Sequence, residues 1–158
     1  MKNTPIPEHH FFSEKEVLEL KKRLEFLTGK KLKKINEGWR LAVAEGDDRE
    51  TDALTIATNL LFNHHHDTLA LREILDNYTV IPKLKNKKVE IGNTVKLTLN
   101  GTENTYTVCD PVFADISNKK ISYKSPLGES LIGKKPGTYT IELAGQKTQL
   151  EILEITQV

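Results

Sequence analysis

The sequence predicts a two-part α+β protein, with an antiparallel coiled-coil hairpin over residues 1–82 and an antiparallel sheet domain with one short helix over residues 83–158. Three observations carry this expectation. Apolar residues recur at steps of three and four in the first half and at steps of two in the second, and the period changes at Pro82. Leu54, Ala57, Leu61, His64, Thr68, Leu71, Leu75 and Tyr78 alternate steps of three and four without a miss, which is the seam of a coiled coil. Only a short segment separates Ala44 from Asp52, so the helices flanking it must fold back on each other.

The first helix has a clear start. In "FFSEKEV", Ser13 suits an N-cap, Glu16 is its capping-box partner, and Phe12 and Val17 are spaced for a hydrophobic staple. Its apolar stripe runs through Val17, Leu20, Leu24 and Leu27, then through Leu32, Ile35, Trp39 and Ala42. The step of five across Gly29 predicts a kink, a register shift or a short break. Some thirty residues per helix would make an arm of about 45 Å, with residues 44–53 at its tip. In "VIPKLKNKK", Pro82 stops the second helix and a basic linker follows. The strand candidates are "KVEIGNTVKLTL", "NTYTVCD", "KKISYKS", "GTYTIEL" and "TQLEILEIT", with turns at "LNGTEN" and "LAGQ". Within "SPLGESLIGKKPG", Ser125 is an N-cap and Pro126 a first helical residue. Leu127, Leu131 and Ile132 form an apolar face, and Gly133 closes the helix.

Composition excludes several classes. With 158 residues, 37% hydrophobic and 28% charged, the chain is of the ordinary globular kind rather than disordered. The single cysteine, Cys109, has no internal disulfide partner, and no secretory or membrane-spanning apolar run is present, so a reducing, cytoplasmic setting is expected. The net charge of +1 hides an asymmetry. Residues 1–82 hold 12 Lys and Arg against 14 Asp and Glu, and residues 83–158 hold 11 against 8. Neither half is a strongly basic nucleic-acid-binding surface.

The tip, "AEGDDRETDA", concentrates five carboxylates in ten positions. Helix ends account for some of them. Gly46 suits a left-handed C′ position, Asp47 the N-cap of the second helix, and Glu50 its capping-box partner. Glu45, Asp48 and Asp52 are surplus, because like charges at a helix terminus repel. Two readings stand: a capped, solvated turn, or a site. As a site the chemistry is that of Mg²⁺, which takes oxygen ligands and is often held by one or two carboxylates plus water or phosphate. An exposed tip has too few ligands to hold the ion tightly alone. It could complete a site whose other carboxylates belong to a partner, as two-metal phosphodiester chemistry requires.

These segments resemble the Gre family of bacterial transcript-cleavage factors. The resemblance runs from "LKKRLEFL" through "AEGDDRE" to "ISYKSPLGESLIGKKPG" and "EILEI", and is most specific in "VEIGNTV", "TYTV", "ISYKSPLG" and "LIGKKPG". The family's Gly-Asp-x-x-Glu tip is matched by Gly46, Asp47 and Glu50. The resemblance implies an N-terminal coiled coil and a C-terminal FKBP-like domain that docks on bacterial RNA polymerase at the rim of its secondary channel. It also implies that the arm enters the channel and that Asp47 and Glu50 help hold the second Mg²⁺ of the polymerase active site. Backtracked RNA is then cut by the polymerase itself. The factor would be no enzyme alone, would bind no cofactor alone, and would act as a monomer away from membranes. One departure stands out: after the glutamate the family commonly has Asn-Ala, an acid and a tyrosine, whereas this chain has Thr51, Asp52, Ala53 and Leu54. Gre-like relatives with strongly acidic tips inhibit the polymerase through the same channel, so Asp48 and Asp52 as accessory tip residues keep inhibition as the alternative.

Other features are weighed beside this resemblance. Nine basic residues lie between Lys15 and Arg40 against four acids, either as a solvated face or as a contact to the nascent RNA 3′ end through Lys30, Lys31, Lys33, Lys34 and Arg40. "HHHD" at 64–67 is a poor zinc motif, because successive helical side chains diverge by about 100°. His64 belongs instead to the seam, and Cys109 reads as inert strand packing. "SPLG", with Ser125, Pro126 and Leu127, is either a polymerase-docking surface or simply a capped helix lying on the sheet. Two other classes remain open: an FKBP-type prolyl isomerase, for which Phe113, Tyr106, Tyr123 and Tyr139 would have to line a proline pocket, and a pure interaction module.

Overall fold

A computed structural model describes residues 8–44, 50–82 and 87–157 of the chain. One compact unit is built on Lys15–Tyr78, and the other on His10–Glu14 with Thr79–Val158. Residues 10–14 and 79–82, expected with the arm, are therefore grouped with the sheet.

The helical unit contains α1 (Glu14–Phe26), a π-helical turn (Leu27–Lys31), α2 (Leu32–Ala44) and α3 (Glu50–Asp76). α1 begins directly after Ser13. The five-residue step at Gly29 appears as a register shift, and the helix is not broken. The N–H of Leu32 reaches back to Leu27 O, five residues earlier, so the extra residue is absorbed in one wide turn and Leu32 and Ile35 return to the stripe of Leu20 and Leu27. α3 is 27 residues long, or about 40 Å. Along its middle, its least exposed residues are the seam: His64, Thr68 and Leu71 are buried, and Leu54, Ala57 and Leu61 half-buried.

His64 shows why the wide turn sits where it does. Its Nε2–H donates to Leu27 O at 2.9 Å across the helix pair, and Thr68 Oγ1 donates back to His64 O at 2.8 Å. The seam therefore contains a buried histidine whose ring is bonded across the helix pair. α3 ends at Asp76, short of Pro82, because the Asn77 side chain caps it by donating to Glu73 O at 3.1 Å. Among the described residues no helix is long and apolar enough to cross a membrane.

In the sheet unit, two short strands, β1 (His10–Phe12) and β2 (Tyr78–Val80), form a ribbon. The main sheet contains β3 (Asn93–Leu99), β4 (Thr102–Cys109), β5 (Lys120–Ser122), β6 (Gly137–Leu143) and β7 (Gln146–Gln157), in the order β5-β4-β3-β7-β6. Two hairpins close at the expected turns. Asn100 and Gly101 have φ of 47° and 84°, and Ala144 and Gly145 have 50° and 78°, so both turns place two successive residues in the left-handed region.

Pairing is antiparallel except at β5, which joins β4 in parallel. The exception has a local cause. Asp115 and Lys120 exchange backbone hydrogen bonds of 2.9 and 2.8 Å across a turn with Lys119 at φ 55°, and this second reversal sends β5 in the direction of β4. α4 (Pro126–Leu131) covers the sheet. Its Leu131 is fully buried among Val95, Leu97, Val108, Ile121, Leu150 and Ile152.

Candidate functional site

The acidic segment spans the chain between α2, which ends at Ala44, and α3, which opens at Glu50. Asp47 and Asp48 lie outside the described residues. Glu50 is the first residue of α3, and Asp52 is exposed in the first turn. There a carboxylate meets the positive end of the helix dipole, which is worth about 0.3–1 kcal/mol at an exposed position. Asp52 thus has a local electrostatic role whatever else it does. Among the described residues no three His, Cys, Asp or Glu side chains gather into a metal-binding cluster.

The basic candidates separate into two groups. Lys30, Lys31 and Lys34 line one groove with Phe26, Ile35, Gly38, Trp39, Ala57 and Leu60, whereas Lys33 and Arg40 are exposed and take no part in that lining. In the "SPLG" segment, Ser125 is occupied as the N-cap of α4. Its Oγ accepts from Gly128 N at 3.1 Å and donates to Ser122 O at 2.7 Å. Leu127 rests on the core, so of the three named residues only Pro126 is exposed. The aromatics considered for a proline pocket have packing partners instead. Phe113 lies edge-on to Phe12, Tyr123 edge-on to Phe11, and Tyr139 donates its hydroxyl to Lys135 O at 2.9 Å. Cys109 is buried, with its thiol directed at Ile121 O.

Sequence reasoning missed Asp110 and His10. Asp110 is 1% exposed. Its Oδ1 accepts from His10 Nδ1 at 3.0 Å and from Val112 N at 3.1 Å, and its Oδ2 accepts from Phe11 N at 3.0 Å. The signal was present in part. Asp-Pro after a strand marks a cap, and Asp110 does cap the 3-10 turn Pro111–Phe113. Two surface groups of the sheet unit have displaced ionisation. A hydrogen bond to Glu103 raises the pKa of Lys96, and the Asn118 side chain, followed by backbone N–H donors, holds Asp115 below the usual carboxylate value.

A helical hairpin with an acidic connecting segment, joined in one chain to a five-stranded sheet unit, is the class of protein this geometry defines. Residues 84–157 match the family described as transcription elongation factor GreA/GreB, C-terminal. Over 142 residues the chain is 36% identical to transcription elongation factor GreA of Caldanaerobacter subterraneus subsp. tengcongensis, covering 86% of this chain and 90% of that one. It is 32% identical over 151 residues to transcription elongation factor GreA of Clostridium perfringens, covering 92% and 96%. The solved structure of GreA factor homolog 1 of Thermus thermophilus aligns with 94% of this chain and 99% of its own, at 19% identity and a TM-score of 0.46. The chain belongs to the GreA/GreB family of transcription elongation factors.

Proposed function

We propose that this elongation factor binds bacterial RNA polymerase through its sheet unit, inserts the helical hairpin into the secondary channel and stimulates the polymerase's own cleavage of backtracked RNA. The observation that carries the reading is the Gly46-Asp47-x-x-Glu50 sequence leading into α3, in a chain 36% identical to a GreA factor. In this reading Asp47 and Glu50 offer carboxylate oxygens at the polymerase active centre, with Asp48 and Asp52 as accessory charges. Mg²⁺ shared with the polymerase would supply charge neutralisation and an activated water. The two carboxylates need little affinity of their own, because confining the arm beside the active centre raises their effective concentration. The chain contributes positioning and charge, and the bond-breaking chemistry remains the polymerase's. Lys30, Lys31, Lys33, Lys34 and Arg40 are the candidate contacts to the RNA 3′ end, and Pro126 is the accessible part of the candidate docking segment.

Inhibition through the same channel is the second reading. It is favoured by Thr51-Asp52-Ala53-Leu54 in place of the family's usual continuation and by the exposure of Asp52. The test adds the purified chain to stalled, backtracked elongation complexes with Mg²⁺ and follows the RNA 3′ end. Shortened RNA that is lost with Asp47→Ala or Glu50→Ala supports cleavage, and blocked synthesis without shortening selects inhibition. If both variants match the parent in both assays, the acidic segment is only a capped, solvated turn.

A further inference from the structure

Between α2 and α3 runs an open groove of about 570 Å³, a volume within the usual range for ligand sites. Its floor is Phe26, Ile35, Trp39, Ala57 and Leu60. The seam accounts for Ile35, Trp39 and Ala57 only in part and for Phe26 and Leu60 not at all. Phe26 and Leu60 each remain 54% exposed and Trp39 39%, although burying such side chains is worth about 1.5–3 kcal/mol each. Lys30, Lys31 and Lys34 complete the lining, which contains no acid. Among the described residues no carboxylate forms an ion pair with any of the three.

An apolar trough with an unpaired positive edge selects an occupant that is apolar on one face and acidic beside it. The trough lies between two helices, a shape filled by a third helix placing anchors at i, i+3, i+4 and i+7. Single-stranded RNA fits less well. The floor offers two stacking surfaces, Phe26 and Trp39, beside the aliphatic Ile35, Ala57 and Leu60, and apart from the lysines its side chains present little that could read a base edge. We propose that this groove docks an amphipathic helix of a partner protein, with its apolar face in the trough and its carboxylates against Lys30, Lys31 and Lys34. The groove shares Lys30, Lys31 and Lys34 with the candidate RNA contacts but uses neither Asp47 nor Glu50, so the RNA titration separates this proposal from the RNA-contact reading, and the cleavage assay with Asp47→Ala or Glu50→Ala leaves it untouched.

Trp39 is the chain's single tryptophan, so its emission reports on the groove directly. The full chain is titrated with a synthetic helical peptide carrying leucines at the anchor positions and glutamates beside them. The comparison titrations use the same peptide with lysines for glutamates and an oligouridylate RNA. The acidic peptide should give a saturable blue shift that the basic peptide does not. Lys30→Glu with Lys34→Glu should weaken it about tenfold or more.

Gly38→Leu provides a second variant that does not depend on charge. Beyond its chain neighbours and its own helix backbone, nothing lies within 4 Å of the position its Cβ would take, so a side chain begins in open space at a residue that lines the trough. It should abolish the shift while circular dichroism shows unchanged helicity. The proposal is overturned if the acidic peptide gives no saturable shift, if both peptides bind equally, if only the RNA perturbs Trp39, or if Gly38→Leu binds like the parent.

Discussion

Replacing Asp110 tests how the first strand of the chain is held in the sheet unit. Three donors converge on its carboxylate, His10 Nδ1 and Val112 N at Oδ1 and Phe11 N at Oδ2, all at 3.0–3.1 Å in a site 1% exposed. Alanine removes every acceptor and strands a histidine that is itself only 6% exposed. Each donor left without its acceptor costs about 1–3 kcal/mol, and three lost bonds place Asp110→Ala at about 3–5 kcal/mol. Asparagine keeps the shape and one oxygen. With its oxygen at the Oδ1 position it retains His10 and Val112, but its amide nitrogen then faces the Phe11 N–H, donor against donor. That leaves the Phe11 N–H without its acceptor and sets the asparagine NH2 against it, a loss of about 1–3 kcal/mol. Amide hydrogen exchange at Val95 and Leu97, in the central strand β3, measures the stability of this unit, and Trp39 emission follows the helical unit separately. The reasoning is refuted if Asp110→Ala stays within about 0.5 kcal/mol of the parent, or if asparagine is as damaging as alanine.

Two further substitutions probe the sheet unit. Gly128→Ala should cost about 2–3 kcal/mol despite a better helix propensity, because the new Cβ runs into Ser122 O and lies 2.9 Å from Tyr123 Cα. That backbone is held by the Tyr123 N–H bond to Cys109 O at 2.9 Å. An unchanged urea midpoint would mean that α4 does not sit against β5 as described. Ala144→Asn should stabilise the β6–β7 hairpin, since alanine at φ 50° adopts a conformation that asparagine tolerates better. A rise in melting temperature of about 4 °C by calorimetry is expected, and no rise, or a fall, would refute the turn assignment.

The sequence by itself determined the elements that depend on short-range preferences. The stripe from Leu54 to Leu75, the turns in "LNGTEN" and "LAGQ", and Ser125 as the cap of α4 all follow from helix period, strand period and turn-forming residues, whereas the left-handed φ of Ala144 does not. The Gly-Asp-x-x-Glu string was legible for the same reason, being contiguous. Tertiary structure decided what those preferences left open. A five-residue step announced an irregularity at Gly29, but its form as a π turn is tied to His64, whose ring reaches Leu27 O from 37 positions away. His10 was unreadable alone because its partner, Asp110, is 100 positions distant. The direction of β5 depended on a second reversal at Asp115–Lys120, and the lysine-edged groove on Phe26 and Trp39 meeting Leu60 from the opposite helix. Backbone preference acts over a few residues, whereas hydrogen-bond partners and exposed apolar surface are settled only once distant parts of the chain are brought together.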